Sequence, residues 1–274
     1  MNRIGIFAKT FPGQTASSVL TAARDAGYGC VQFNLSCCGL PSMPDSLPAE
    51  LVADIAAASA NTGVTIAALS GTYNMIHPDP MVRAQGLARL RVLLSHARAM
   101  GTSLVTLCTG TRDPDDQWRA HPENEAPEAW ADLLVEMEQA AAMAEELGVD
   151  LGIEPEPANV VGSAARAARL LREIPSPRLR IILDPANLAA GTNADQDRIF
   201  ESAADFLHER IALAHAKDRD AAGEVVPPGQ GIIDFPRFFA HLTRVGFRGP
   251  VITHGIAPED APQVARFVAQ TLGS

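Results

Sequence analysis

Short apolar runs alternate along the whole chain with longer stretches in which apolar positions recur at helical spacing. RIGIFA at 3–8 is followed by TASSVLTAARDAG, whose alanines, valine and leucine fall at helix spacing and whose Gly27 suits a helix end. CVQF (30–33) precedes a helix near 48–62, and VTIAAL (64–69) precedes a long one near 80–100 that ends at Met100 and Gly101. SLVTLC (103–108) leads to APEAWADLLVEMEQAAAMAEELG, VDLGIE (149–154) to SAARAARLLREI, and LRIILD (179–184) to a helix near 195–208. IALAHA (211–216) with FPRFFAHLTRVG, and PVITHG (250–255) with PEDAPQVARFVAQTL, bring the strand and helix units to eight, at about 34 residues each. A parallel strand needs a crossover helix to reach the next, so this series predicts an α/β chain folded as a single (β/α)8 TIM barrel, one domain over residues 1–274. A doubly wound open sheet also alternates, and such sheets often carry a glycine-rich turn after the first strand; here that turn is KTFPGQ, with no GxGxxG. The long polar segment RDPDDQWRAHPENEAPE (112–128), after strand four, is a candidate lid or oligomer contact.

Charge narrows the partners. The 22 Lys and Arg against 32 Asp and Glu leave a net charge of -10, a field that repels phosphate backbones and anionic lipid, so neither nucleic acid nor a membrane is expected as a partner. No apolar run reaches the roughly 18 residues that span a bilayer. MNRIGIFAKTFPG breaks at proline and glycine before it could form a signal-peptide core, which predicts a cytoplasmic protein. Cys30, Cys37, Cys38 and Cys108 lack zinc-knuckle spacing, and adjacent Cys37 and Cys38 could pair only with strain; free thiols are expected.

Active sites of such barrels sit at the carboxyl ends of the strands, and the residues there are polar. Strand five ends in Glu154, strand six in Asp184, strand seven carries His215 near its end, and strand eight ends in His254, at intervals of 30, 31 and 39 residues. Any one of them alone reads as a helix cap or a solvent-facing group. Four on consecutive strands converge on one side of the mouth as candidate metal ligands. Two carboxylates with two imidazoles suit a divalent Mn, Co, Zn or Fe more than Mg or Ca, which prefer oxygen alone.

The segments LGIEPEPANVV, RIILDPANL, IALAHAKD and PPGQGIIDFPRFFAHLTRVGFRGPVITHG resemble the xylose isomerase-like sugar isomerases and epimerases, in particular their sugar phosphate isomerase/epimerase branch, and the likeness covers nearly the whole chain. The resemblance implies one metal ligand from each of strands five to eight: Glu154, Asp184, His215 and the residue at 254. Many members have glutamate at that fourth position, where this chain has His254. It further implies a homo-oligomer, dimer or tetramer, and a substrate that is a sugar, keto-sugar or sugar phosphate. The chemistry expected is isomerisation or epimerisation, with a proton removed beside a carbonyl through a metal-stabilised enediolate.

Side chains two apart in an extended segment share a face, which turns Glu156 the same way as Glu154 and Lys217 the same way as His215. Glu156 is the candidate base, with Glu154 as the alternative; Glu156 could instead orient a ligand or Lys217. Lys217 could hold a substrate hydroxyl or phosphate oxygen, or pair with Glu156 or Asp218. Further candidates for substrate contact are Tyr73, Asn74 and His77 in GTYNMIHPDP, Asn187 three residues after Asp184, Arg112, and Gln230 in PPGQG, a loop whose amides could cradle an anion. Rival readings are a metal-dependent aldolase or dehydratase acting on a related polyol and a non-catalytic sugar-binding barrel. A multi-zinc DNA-repair endonuclease, also found on this fold, would need more ligands on the early strands, which end in Phe7, Ala8 and Phe33.

Overall fold

In a computed structural model, which describes residues 4–189 and 195–273, eight parallel strands close into a barrel with helices between them. The strands are β1 (Ile4–Phe7), β2 (Cys30–Phe33), β3 (Thr65–Ser70), β4 (Leu104–Leu107), β5 (Asp150–Ile153), β6 (Leu179–Leu183), β7 (Ile211–Ala216) and β10 (Val251–Thr253). Each pairs in parallel with its predecessor, and β1 pairs with β10 through Ile4 opposite Val251 and Ile6 opposite Thr253, which closes the ring. Arg3, the first residue of the first expected strand, lies outside the described residues.

The helices are α1 (Ala16–Asp25), α2 (Ala49–Thr62), α3 (Pro80–Ala97), α4 (Pro127–Leu147), α5 (Ala164–Glu173), α6 (Pro185–Leu188), α7 (Gln196–Leu207), α8 (Phe235–Arg244) and α9 (Ala261–Leu272). Several begin where a side chain takes up an orphan amide: Thr15 accepts from Ser18 at α1, Asp79 from Met81 at α3, and Ser163 from Arg166 at α5. The α4 helix stops at Gly148, whose left-handed φ of 66° lets its amide reach back to the Ala144 and Glu145 carbonyls. No helix among the described residues is long and apolar enough to cross a membrane.

Two elements go beyond the eight expected units. The α6 helix is a single turn, too short to leave a periodic signal, and it starts because the Asp184 carboxylate accepts from the Ala186 and Asn187 amides. A two-stranded hairpin, β8 (Asp218–Arg219) with β9 (Val225–Val226), rises between β7 and α8.

The larger apolar core lies between the strands and the surrounding helices. Inside the barrel a smaller plug is formed by Cys30, Ala68, Leu104, Ile182, Leu213 and Ile252, all buried. Gly5 and Gly152 make room for it: a Cβ on Gly5 would collide with Ile252 and Cys30, and one on Gly152 would sit 2.9 Å from Ile182 Cδ1. Because strand side chains repeat every second residue, the positions two further on stand above the plug on the same inward face. Those positions are Gln32, Ser70, Thr106, Asp184, His215 and His254, with Phe7 above Gly5 and Glu154 above Gly152. The barrel thus changes from apolar to polar within a single pleat at its carboxyl end.

Candidate active site

Glu154, Asp184 and His254 each follow directly on a strand, while His215 is the fifth residue of β7. One donor atom from each of these four residues lies within 4.8 Å of every other. His215 Nδ1 is 3.2 Å from Glu154 Oε1 and 3.5 Å from Asp184 Oδ2, and His254 Nε2 is 3.2 Å from Asp184 Oδ2. Donor atoms that share an ion at about 2.0–2.2 Å stand roughly 3 Å apart, so two carboxylates and two imidazoles at these separations fit a divalent cation. Phe7 packs against both imidazoles, with ring centroids 5.5 Å from His215 and 4.6 Å from His254, and limits how far either ring can turn.

Glu156 and Lys217 join the same cluster through Asn187. The Asn187 amide nitrogen donates to Glu154 Oε1 and to Glu156 Oε2, both at 2.9 Å, while its carbonyl accepts from Lys217 Nζ at 2.6 Å. Lys217 also pairs with Asp184 Oδ2 at 3.2 Å. The α6 turn is what brings Asn187 there, since its first amides are held by Asp184 itself. The glutamates are steadied from the other side: Glu156 N–H donates to Val161, Val160 N–H to the Gly110 carbonyl, Val161 N–H to Thr109 Oγ1, and Gly110 N–H to Asn159 Oδ1.

Burial and neighbouring charge act against each other on these groups. Burial raises the Glu154 and Asp184 carboxyls, but His215 with Lys217 for the first, and Lys217 with both imidazoles for the second, outweigh it and keep both ionised. Burial lowers His215, yet the two carboxylates carry it to about 9; His254 is held below its usual value by burial and by His215, against Asp184. Glu156 differs from its neighbours. Burial dominates there, Glu154 and Asp184 add to it, and Lys217 only partly opposes, so its carboxyl is pushed up to about 7. Of these three carboxyls, Glu156 alone is shifted upward.

The remaining expected contacts lie in the loops after β3, β4 and β9. Tyr73 Oη donates to the buried Glu136 of α4. Asn74 accepts from the Thr111 amide and donates to the Asp113 carbonyl, and His77 takes the Asp79 amide on Nδ1 while Nε2 meets the Pro114 carbonyl. Arg112 donates to the Ile76 carbonyl and pairs with Asp132 at 2.7 Å. These side chains tie the loops to one another, and none has a hydrogen bond to the four-ligand cluster. With Ser42, Gln85 and Arg89, residues Tyr73, Asn74 and His77 line a separate cavity of about 460 Å³. Segment 112–128 is pinned by the Arg112–Asp132 and Arg119–Asp113 pairs and by Asn124, which bonds Thr111, Arg112 and Ala158. Gln230 is exposed. The loop's Gly229 and Gly231 amides both donate to Asp218 Oδ2, at 2.9 Å, so these amides are engaged within the protein and not open to an anion. Cys108 is a neutral donor to the Tyr73 carbonyl, its thiol pushed up to about 12 by burial and then by Glu154. All four cysteines are free.

Two side chains at the cluster stand outside the expected list: Phe7 and Gln32. Gln32 is 3 % exposed, and its carbonyl oxygen is 3.2 Å from His215 Nε2. The signal for both is the period of two within their strands, which sets Gln32 rather than the terminal Phe33 on the inward face.

Known proteins share this architecture. L-ribulose-5-phosphate 3-epimerase UlaE of Escherichia coli is 25% identical over 272 residues, covering 96% of this chain and 91% of that protein. The enzyme of the same name from Shigella flexneri is 26% identical over 257 residues, 91% of this chain and 85% of that one. Among solved structures, an L-ribulose 3-epimerase superposes with a TM-score of 0.80 at 20% identity, covering 100% of this chain and 95% of the other. The IOLI protein with a bound zinc atom superposes with a TM-score of 0.76 at 17% identity, covering 99% and 98%. The model of the xylose isomerase-like TIM barrel matches residues 20–271. The chain therefore belongs to the xylose isomerase-like TIM-barrel family.

Proposed function

We propose that the protein is a metal-dependent epimerase or isomerase of a ketose or ketose phosphate, in which Glu156 removes and returns the proton on the carbon beside the carbonyl. The observation that carries this reading is the pairing of a four-donor cluster with a half-buried carboxyl raised to about 7, joined to it by one asparagine. Glu154, Asp184, His215 and His254 would hold the ion, with Mn, Co, Zn or Fe favoured over Mg by the two imidazoles. A divalent cation at such a site supplies Lewis acidity, polarising a carbonyl and lowering the cost of the negative charge that develops on its oxygen.

The rest is done by the protein's own groups. Asn187 holds the Glu154 and Glu156 carboxylates side by side and sets which oxygen of each faces the mouth. Lys217, already close to Asp184, offers an ammonium to a substrate hydroxyl. Glu156 in its ionised form takes the carbon-bound proton, and as the acid it gives the proton back. Return by Glu156 to the adjacent carbon on the same face gives an aldose from a ketose, whereas an epimer requires a second acid to deliver a proton to the opposite face of the same carbon while Glu156 keeps the one it removed. The names of the UlaE relatives favour a ketose 5-phosphate and epimerisation at carbon three.

The test is a panel of ketoses, aldoses and their phosphates incubated in heavy water with added Mn, read for deuterium beside the carbonyl and for new products. Uptake is expected with at least one sugar. Glu154→Gln and His215→Ala should each lower metal content, whereas Glu156→Gln should keep the metal and reduce exchange by about 10²–10⁴-fold. Undiminished exchange in the last variant would remove Glu156 as the base. Cleavage or dehydration products in place of isomers would transfer the site to aldolase or dehydratase chemistry.

A further inference from the structure

A histidine with no exposed surface must have both ring nitrogens provided for by the protein, and His215 is such a residue, at 0 % exposure. Its Nδ1 faces the Glu154 and Asp184 carboxylates. Its Nε2 faces away from them, toward Gln32 Oε1 on the far side of the barrel, at 3.2 Å. Gln32 is itself held at both ends. Its amide nitrogen lies 3.2 Å from Ser70 Oγ on β3 and 3.2 Å from Thr106 Oγ1 on β4, two hydroxyls that can each accept one of its two N–H bonds. All three polar partners belong to the same inward layer of the barrel, and Gln32, Ser70 and Thr106 are 3 %, 6 % and 2 % exposed, so bulk water does not compete for them.

We propose that Gln32 is a positioning residue that sets the tautomer His215 adopts when an ion replaces the proton between its Nδ1 and the Glu154 and Asp184 carboxylates: the Gln32 carbonyl keeps the hydrogen on Nε2, so that the Nδ1 lone pair is the one presented to the ion. A neutral imidazole carries one hydrogen, and a ring that offers Nδ1 to an ion carries it on Nε2. That hydrogen needs an acceptor, and Gln32 Oε1 is the one at hand. Reversal of the amide would point its N–H bonds at Nε2, move the imidazole hydrogen to Nδ1 and turn the cluster's buried nitrogen from a ligand into a donor. The Ser70 and Thr106 hydroxyls work against that reversal by giving both N–H bonds a place on the other side. The effect on reactivity is indirect, because Gln32 touches His215 and not the reacting carbon. The inference rests on the metal reading above.

Zinc alone serves as the probe, since it is diamagnetic. The zinc-loaded protein, labelled with ¹⁵N in histidine and assigned with the His215→Ala spectrum, should show the His215 hydrogen on Nε2. Gln32→Met, close in length but without the carbonyl acceptor, should weaken zinc binding by about 10–100-fold in a chelator competition. Gln32→Glu, which keeps an acceptor oxygen, should bind zinc at least as tightly as the parent. A hydrogen found on Nδ1 in the zinc-loaded parent overturns the proposal, as does unchanged zinc affinity in Gln32→Met. If Gln32→Met fails to fold, the parent spectrum and the Gln32→Glu affinity still decide. A purely structural role would lower the melting temperature and leave tautomer and affinity alone. Absence of zinc binding in the parent would instead defeat the metal reading, an outcome distinct from a bound ion with the wrong tautomer.

Discussion

Tyr73 lies 8 % exposed against a helix position that only glycine can fill, because a Cβ on Gly86 would run into its ring. Alanine is favoured over glycine by up to about 1 kcal/mol in a helix interior, but overpacking against a fixed ring costs about 1–3 kcal/mol. Gly86→Ala should therefore lose stability in urea denaturation, and a gain would show that the ring moves freely. Beneath Tyr73, burial raises the Glu136 carboxyl above its usual value and Asp132 adds to this, against the Tyr73 hydroxyl and Arg83. A carboxyl raised in the fold binds its proton more tightly there than in the unfolded chain. Its contribution is thus full below the ordinary value of 4.5 and declines as pH rises through the higher folded value. Glu136→Gln should melt increasingly above the parent as pH rises from 4.5 toward neutrality, and a constant difference would contradict the assignment. At this scale Glu154, Asp184, His215 and His254 were legible because charged or imidazole groups at strand ends stand out from apolar runs. Gln32 was not, since an apolar phenylalanine follows it and only counting by two from Cys30 sets it inward.

Among the elements, the β8–β9 hairpin and the loop behind it hang on one carboxylate. Asp218, with no exposed surface, accepts from the Arg219, Gly229, Gly231 and Ile233 amides. The hairpin in turn lies over the end of β10, where a side chain on Gly255 would meet Val225 at 2.6 Å. Asp218→Ala should leave those amides without an acceptor, at about 1–3 kcal/mol for any that stays buried, and the loop should open to water instead. Hydrogen exchange of residues 229–233 should accelerate while the barrel strands keep their protection; unchanged exchange would mean that the loop has other anchors. The eight long alternations were readable because each strand and helix spans enough residues to show a period. The hairpin and the α6 turn were not, as two to four residues carry no period; Asp184 starts α6 by capping the amides just ahead of it, and Asp218 anchors the hairpin through amides 11 to 15 residues further on.

For the whole molecule, four adjacent strands converge on one cluster, so an ion held there would join β5, β6, β7 and β10 as well as serve chemistry. A ligand bound only by the folded state stabilises by about 2.7 kcal/mol at one hundred times its Kd, which for a chain of this size is a rise in Tm of about 5 °C. Zinc or Mn should produce that rise, Mg much less, and a chelator should reverse it; a melting curve indifferent to all three would argue that the four groups hold no ion. The layering of the barrel has a further consequence. Acid and imidazole groups occupy the arc from β5 to β10, whereas Phe7, Gln32, Ser70 and Thr106 make the opposite arc uncharged. The two arcs are nonetheless braced against each other, since Phe7 packs on both imidazoles and Gln32 reaches His215, so a substitution on the uncharged semicircle is felt across the barrel by the charged one.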